Sequence, residues 1–161
     1  MMYGIPLLKV EELAAGLVSY PEKCTGCRFC EMICSLSHEG VVNRKKARLR
    51  VVKDGIKNDI PVVCTQCVAC GYDCCAEACP EDAIFMVDDI LEVDENLCTG
   101  CGTCEKTCRY GIIRVVDDLA RKCDLCKGDP MCVKFCPLGA LKFEEADETK
   151  CLAVLSLLGG K

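Results

Sequence analysis

Sixteen of the 19 cysteines in this 161-residue chain fall into four quartets. The first is Cys24, Cys27, Cys30 and Cys34, and the second is Cys64, Cys67, Cys75 and Cys79. The third is Cys98, Cys101, Cys104 and Cys108, and the fourth is Cys123, Cys126, Cys132 and Cys136. Quartets one and three share the spacing C-x2-C-x2-C-x3-C without change. Three thiols packed that closely, with a fourth one helical turn further on, suit a cuboidal iron–sulfur cluster. The close three grip one cluster from a loop. The fourth cannot bend back to the same iron, so it points at a neighbouring cluster.

Two other uses of cysteine fit less well. A disulfide scaffold needs an oxidising compartment. Residues 1–16 show no basic region leading into an apolar stretch and a small-residue cleavage site, so a secretory signal is not expected and the chain reads as cytoplasmic. Structural zinc prefers paired C-x2-C knuckles with a longer spacer and has no use for a third cysteine directly after the pair. Composition points the same way. Cysteine inflates the hydrophobic fraction of 51%, there is no Trp, and Phe and Tyr number four each. That is a thin core, so metal–thiolate bonds are expected to carry much of the folding free energy. A formal charge of −5 makes a poor nucleic-acid binder. No apolar run is long enough to span a membrane, and Cys151 to Leu158 reads as a docking segment or a short packed helix.

Along the chain, Val10 to Tyr20 reads as a short amphipathic helix ended by Pro21, with Leu13, Leu17 and Val18 on its apolar face. Gly26 lets the backbone approach a cluster and aim amides at sulfur. Residues 30–37 read as one or two helical turns, broken at His38-Glu39-Gly40. His38, the only histidine, reads as a turn residue rather than a ligand. From Ala47 to Val52, Leu49 and Val51 alternate with Arg48 and Arg50, an exposed strand at the end of a basic stretch that starts at Arg44. Those charges are either a solvated face or a docking patch for an acidic partner. In quartet two, Cys75 is preferred because Cys75 and Cys79-Pro80 reproduce a C-x3-C-P ending, and Cys70 is the rival third ligand. Cys70, Cys74 and Cys151 are then spare. Two short strands are expected around Asp88-Asp89, another in Gly111 to Val116 before Asp117-Asp118, and a last one in Gly139 to Phe143. The unit of quartet, short helix and strand thus repeats four times.

This order, over about residues 20–145, resembles the ferredoxin-like electron-transfer subunits of multisubunit molybdenum and tungsten oxidoreductases. The resemblance implies an α+β fold of two nested bacterial-ferredoxin-like modules, with short helices and β-hairpins around [4Fe-4S] clusters. It pairs the first quartet with the fourth and the second with the third. One cluster would take Cys24, Cys27, Cys30 and Cys136, and its mate Cys123, Cys126, Cys132 and Cys34. The inner pair would be Cys64, Cys67, Cys75 with Cys108, and Cys98, Cys101, Cys104 with Cys79. The implied organisation is an N-terminal extension over 1–20, an outer module over 21–60 and 120–145, an inner module over 61–119, and a docking tail over 146–161. The stretch PEKCTGCRFCEMICSLSHEG is most similar to the small partners of tungsten-pterin enzymes of the aldehyde oxidoreductase type, including class II benzoyl-CoA reductase assemblies of anaerobic aromatic degraders. Two departures, Arg109 where a Pro usually follows the fourth cysteine and the insertion in quartet two, leave three clusters as an alternative to four.

The chain shows no G-x-G-x-x-G after a strand, no P-loop and no convincing acid–base set. The expected function is therefore one-electron relay to or from a larger catalytic subunit of tungsten- or molybdenum-pterin type, with a further redox partner. The alternatives are a free diffusible polyferredoxin and an electron-transfer subunit of a hydrogenase or CO dehydrogenase. Enzymatic chemistry at an open iron is disfavoured by full cysteine ligation.

Overall fold

The computed structural model describes residues 15–54, 58–62, 74–88, 90–108 and 111–145. The strands are β1 (Ala15–Ser19), β2 (Arg50–Asp54), β3 (Asn58–Val62), β4 (Ile84–Val87), β5 (Ile90–Val93), β6 (Arg114–Val116), β7 (Leu119–Arg121) and β8 (Leu141–Glu145). The helices are α1 (Phe29–Glu39), α2 (Cys74–Glu77), α3 (Thr103–Thr107) and α4 (Met131–Phe135). The result is a small mixed fold in which each helix follows cysteines and leads into strand. The strands pair antiparallel in four ribbons: β1 with β8, β2 with β3, β4 with β5 and β6 with β7.

The two acidic turns behave as the sequence predicts. Asp88 takes φ 45° between β4 and β5, and Asp117 and Asp118 take φ 53° and 56° between β6 and β7. Two consecutive left-handed residues match the twist of the flanking strands, and Asp tolerates that conformation better than most.

The N-terminal reading needs correction. Residues 15–19 are a strand paired with β8 rather than part of a helix. β1 pairs Leu17 with Phe143 and Ser19 with Leu141, and the Tyr20 amide continues the contact to the Ala140 carbonyl at 2.7 Å. Gly16, Val18 and Ser19 are weak helix formers, and the ladder on β8 buries both Leu17 and Val18. Residues 10–14 lie outside the described residues. A second correction concerns α1, which runs three turns and holds His38 in its last turn. Gly40, left-handed at φ 69°, ends it by donating to the Leu36 carbonyl at 3.0 Å.

The basic stretch also differs from both of its readings. Arg44–Lys46 form a 3₁₀ turn, capped by the Asn43 side chain accepting from the Lys45 amide. Ala47, Leu49 and Val51 are buried. The charges pair within the molecule: Arg44 with Glu31 at 2.8 Å, Lys46 with Asp117 at 2.9 Å and Arg48 with Asp124 at 3.1 Å. Most of this charge therefore holds the chain to itself.

One core runs through the molecule. Leu17, Leu49, Val51, Ile84, Leu91, Ile113, Leu125 and Leu141 share it with the thiols of Cys30, Cys34, Cys75, Cys104, Cys123 and Cys132. α1 packs on α4, and β1 lies beside β8, so both ends of the described chain meet. α2 packs on α3 between them in sequence. No helix among the described residues is long and apolar enough to cross a membrane.

Candidate metal centres

The cysteine triplets share one backbone device. The residue two after the first cysteine is left-handed in three quartets: Gly26 at φ 69°, Gly100 at φ 68° and Leu125 at φ 54°. So is the residue after the second cysteine: Arg28 at φ 61°, Gly102 at φ 76° and Lys127 at φ 55°. These kinks wrap the loop so that three thiols face one space. At Gly100 glycine is required for a second reason, since a Cβ there would stand 2.5 Å from the backbone oxygen of Asp118. Quartet four makes the same loop with Leu125 and Lys127, at a strain of about 1–2 kcal/mol per residue.

The structure brings thiols together across quartets. A small hollow is lined by Cys24, Cys27 and Cys30 from one end of the chain and Cys136 from the other, with Val51, Leu138 and Leu141 around them. A second is lined by Cys98, Cys101 and Cys104 together with Cys79. Cys132 stands in the electrostatic company of Cys123, Cys34 and Cys126. Of quartet two, Cys75 is buried beside the α2–α3 contact and Cys79 is half-buried, whereas Cys64, Cys67 and the rival Cys70 lie outside the described residues. Arg109 and Cys151 lie outside them as well. Cys108 is half-buried after α3.

Backbone amides aim at the sulfurs. Ala83 donates to Cys79, Ile112 to Cys108 and Ala140 to Cys136, each at 3.3 Å and each from four residues on. Ala120 donates to Cys98 at 3.4 Å. Cys34 departs from the pattern because α1 carries on past it. Its sulfur takes the Arg48 amide at 3.3 Å, from the loop that returns after the helix.

Burial sets the thiol acidities. It pushes Cys30 up to about 12, with Glu31 adding to the rise, and it raises Cys104 and Cys132. Exposed Cys101 moves down, helped by a hydrogen bond with Thr103. Buried thiols at these positions become anions only by binding a positive group. Four converging soft donors, with amides already directed at sulfur, fit an iron–sulfur cubane and leave no place for an oxygen-loving ion.

Residue reading from the sequence missed three polar side chains around these sites. Glu31 is 3% exposed, next to Cys30. Its carboxylate accepts from the Val51 amide and Arg44 Nε, each at 2.8 Å. His38 and Asp124 face each other, Nε2 to Oδ1, at 3.1 Å. Asp124 and then the sulfurs of Cys126 and Cys34 push the imidazole up to about 12. Burial opposes the Asp124 charge, yet His38 and Arg48 outweigh it and hold the carboxyl near 2. The available signals were the helical i, i+4 spacing from Cys34 to His38 and the Asp directly after Cys123, a residue type that caps the next turn.

A family model described as a 4Fe-4S binding domain matches residues 90–113. The chain is 38% identical over 120 residues to an aliphatic sulfonate oxidoreductase, polyferredoxin-like subunit, of Pyrococcus furiosus, covering 72% of this chain and 68% of that protein. It is 33% identical over 150 residues to the putative electron transport protein YsaA of Escherichia coli, covering 83% and 92%. The chain belongs to the 4Fe-4S ferredoxin-like electron-transport proteins. As a member of that family it carries [4Fe-4S] clusters, in agreement with the all-thiol donor sets above. Other relatives are much longer, and this ferredoxin-like chain spans about a fifth of two putative oxidoreductases of E. coli. In structure it is similar to a chain of the active site complex BamBC of benzoyl coenzyme A reductase as isolated, with a TM-score of 0.47 and 28% identity over 88% of this chain and 86% of that one.

Proposed function

We propose that this chain relays single electrons through four [4Fe-4S] clusters between a larger catalytic oxidoreductase subunit and a further redox partner. The observation that carries the proposal is the meeting of Cys136 with Cys24, Cys27 and Cys30 in one cavity. The proposed ligand sets are Cys24, Cys27, Cys30, Cys136; Cys123, Cys126, Cys132, Cys34; Cys98, Cys101, Cys104, Cys79; and Cys64, Cys67, Cys75, Cys108. Bound clusters supply reversible one-electron chemistry. The protein supplies spacing, insulation and tuning. Amides directed at Cys34, Cys79, Cys98, Cys108 and Cys136 stabilise added negative charge, and Leu17, Leu49, Val51 and Leu125 exclude water. Shared elements support an order for the proposed sites. α1 carries ligands of the first two sets, and β7 reaches from Cys98 through Ala120 to Cys123. Cys79 and Cys104 lie next to Cys75 and Cys108 on the α2 and α3 segments.

The docking end is assigned to the Cys27 side. Cys27 is exposed there, and Phe29 and Phe135 stack at 6.5 Å between centroids. With Leu138 they leave apolar area open to solvent beside Lys23 and Arg28. Apolar area with a charged rim is the composition of a subunit contact. The Pyrococcus relative is named as a subunit of an oxidoreductase, and the resemblance of the first-quartet stretch favours a tungsten- or molybdenum-pterin partner. Anaerobic isolation from native cells tests this. The expected result is a larger co-eluting subunit with tungsten or molybdenum. Elution alone at native salt would instead favour a free polyferredoxin.

A further inference from the structure

Three of the fourth-position cysteines use the same support: an amide four residues on, from a chain that has left its helix. Cys34 cannot, because the fourth residue after it, His38, is still in α1 and its amide serves the helix ladder. The Arg48 amide takes that place on the sulfur, and the His38 side chain lies beside it. Its Nδ1 is 2.9 Å from the Cys34 carbonyl and 3.7 Å from the Cys34 sulfur. Its Nε2 is 3.1 Å from Asp124 Oδ1. That same oxygen accepts the Cys126 amide at 3.0 Å, and Oδ2 accepts from Arg48 at 3.1 Å. Arg48 returns to Cys34 through its own amide at 3.3 Å and reaches Glu95 at 3.6 Å. A closed ring therefore ties the helix-borne thiol Cys34 to the loop that holds Cys123 and Cys126.

We propose that His38 is a positioning residue that raises the reduction potential of the cluster held by Cys34, Cys123, Cys126 and Cys132. It does so by fixing two ligand-bearing segments and by placing a ring N–H beside sulfur. Hydrogen bonds to ligand sulfur raise a cluster's potential, so His38 makes this cluster easier to reduce than it would be without the imidazole. The inference rests on the ligand sets proposed above.

The test is an EPR-monitored redox titration of the full-length holoprotein, wild type against His38→Ala, His38→Gln and Asp124→Asn. His38 is the sole histidine, so ¹⁵N-histidine labels one residue. Its hyperfine coupling, read by pulsed EPR, identifies the neighbouring cluster. The expected result is coupling on one cluster, a downward shift of that cluster's midpoint alone in His38→Ala, and a smaller shift in His38→Gln and Asp124→Asn, with iron content unchanged. Unmoved midpoints with full iron would overturn the inference and leave the ligand sets standing. Iron loss in both His38→Ala and His38→Gln would reduce His38 to a structural role and overturn it too. Absence of cubane signals in the wild type would remove the functional reading itself.

Discussion

Glu31 is the side chain whose removal has the most calculable effect. It lies on α1 beside Cys30 and holds β2 against that helix through the buried Val51 amide. Val51 in turn lines the cavity of Cys24, Cys27, Cys30 and Cys136. Glu31→Ala leaves the Val51 N–H buried without an acceptor, at about 1–3 kcal/mol. Losing the Arg44 pair adds little, about 0–1 kcal/mol, because that guanidinium is half exposed and returns to water. The total is on the order of 1–4 kcal/mol. Glu31→Gln keeps an oxygen for Val51 but turns an amide donor toward arginine, so its cost is about half. The assay is anaerobic: holoprotein is challenged with an iron chelator, and the decay of the visible iron–sulfur absorbance is timed. If opening of β2 from α1 limits the first loss, about 2 kcal/mol corresponds to roughly thirty-fold faster decay. Glu31→Ala should show that on one cluster, Glu31→Gln should fall between it and wild type, and Arg44→Ala should stay close to wild type. Decay of Glu31→Ala at the wild-type rate would refute the reasoning, as would equal effects of Glu31→Ala and Arg44→Ala.

The left-handed positions give a contrasting pair. Gly100→Ala should destabilise the holoprotein, since its Cβ meets the Asp118 backbone. Lys127→Gly, at an exposed left-handed site, should be neutral or stabilising by up to about 1 kcal/mol, and chelator-challenge rates rank the two. Cys101→Ser should lose or degrade one cluster while Cys151→Ser keeps full iron. Cys70→Ser against Cys75→Ser decides which completes quartet two, iron per chain being the readout. Cluster retention should fall as pH falls. Cys30 and Cys132 have thiols raised by burial, so each must release a proton to bind metal, and acid pushes that equilibrium back. Chelator-driven loss that slows on acidification would contradict this.

Close thiols on a short loop have few ways to converge, and the structure places Cys24, Cys27 and Cys30 around one hollow and Cys98, Cys101 and Cys104 around another. The later hairpins were legible for a similar reason, since turns such as Asp117-Asp118 act locally. What depended on distant partners was not. Whether residues 15–19 become strand is decided by β8, more than a hundred residues on. The extra turn of α1 follows from Glu39, His38 and Ser35 finding partners at Arg121, Asp124 and the Asn43 amide. Those partners come from quartet four and from the loop after α1. The basic stretch looked free for the same reason: Glu31, Asp117 and Asp124 are spread over the sequence and gather only in the fold.

Anaerobic iron and acid-labile sulfide analysis of the purified chain, joined to Mössbauer spectroscopy before and after reduction, tests the central claim most directly. The ligand sets predict about sixteen irons and as many sulfides per chain, all in cubane clusters that each take up one electron. Zinc in place of iron, or iron that accepts no electrons, would contradict the relay, and about twelve irons would contradict the fourth site.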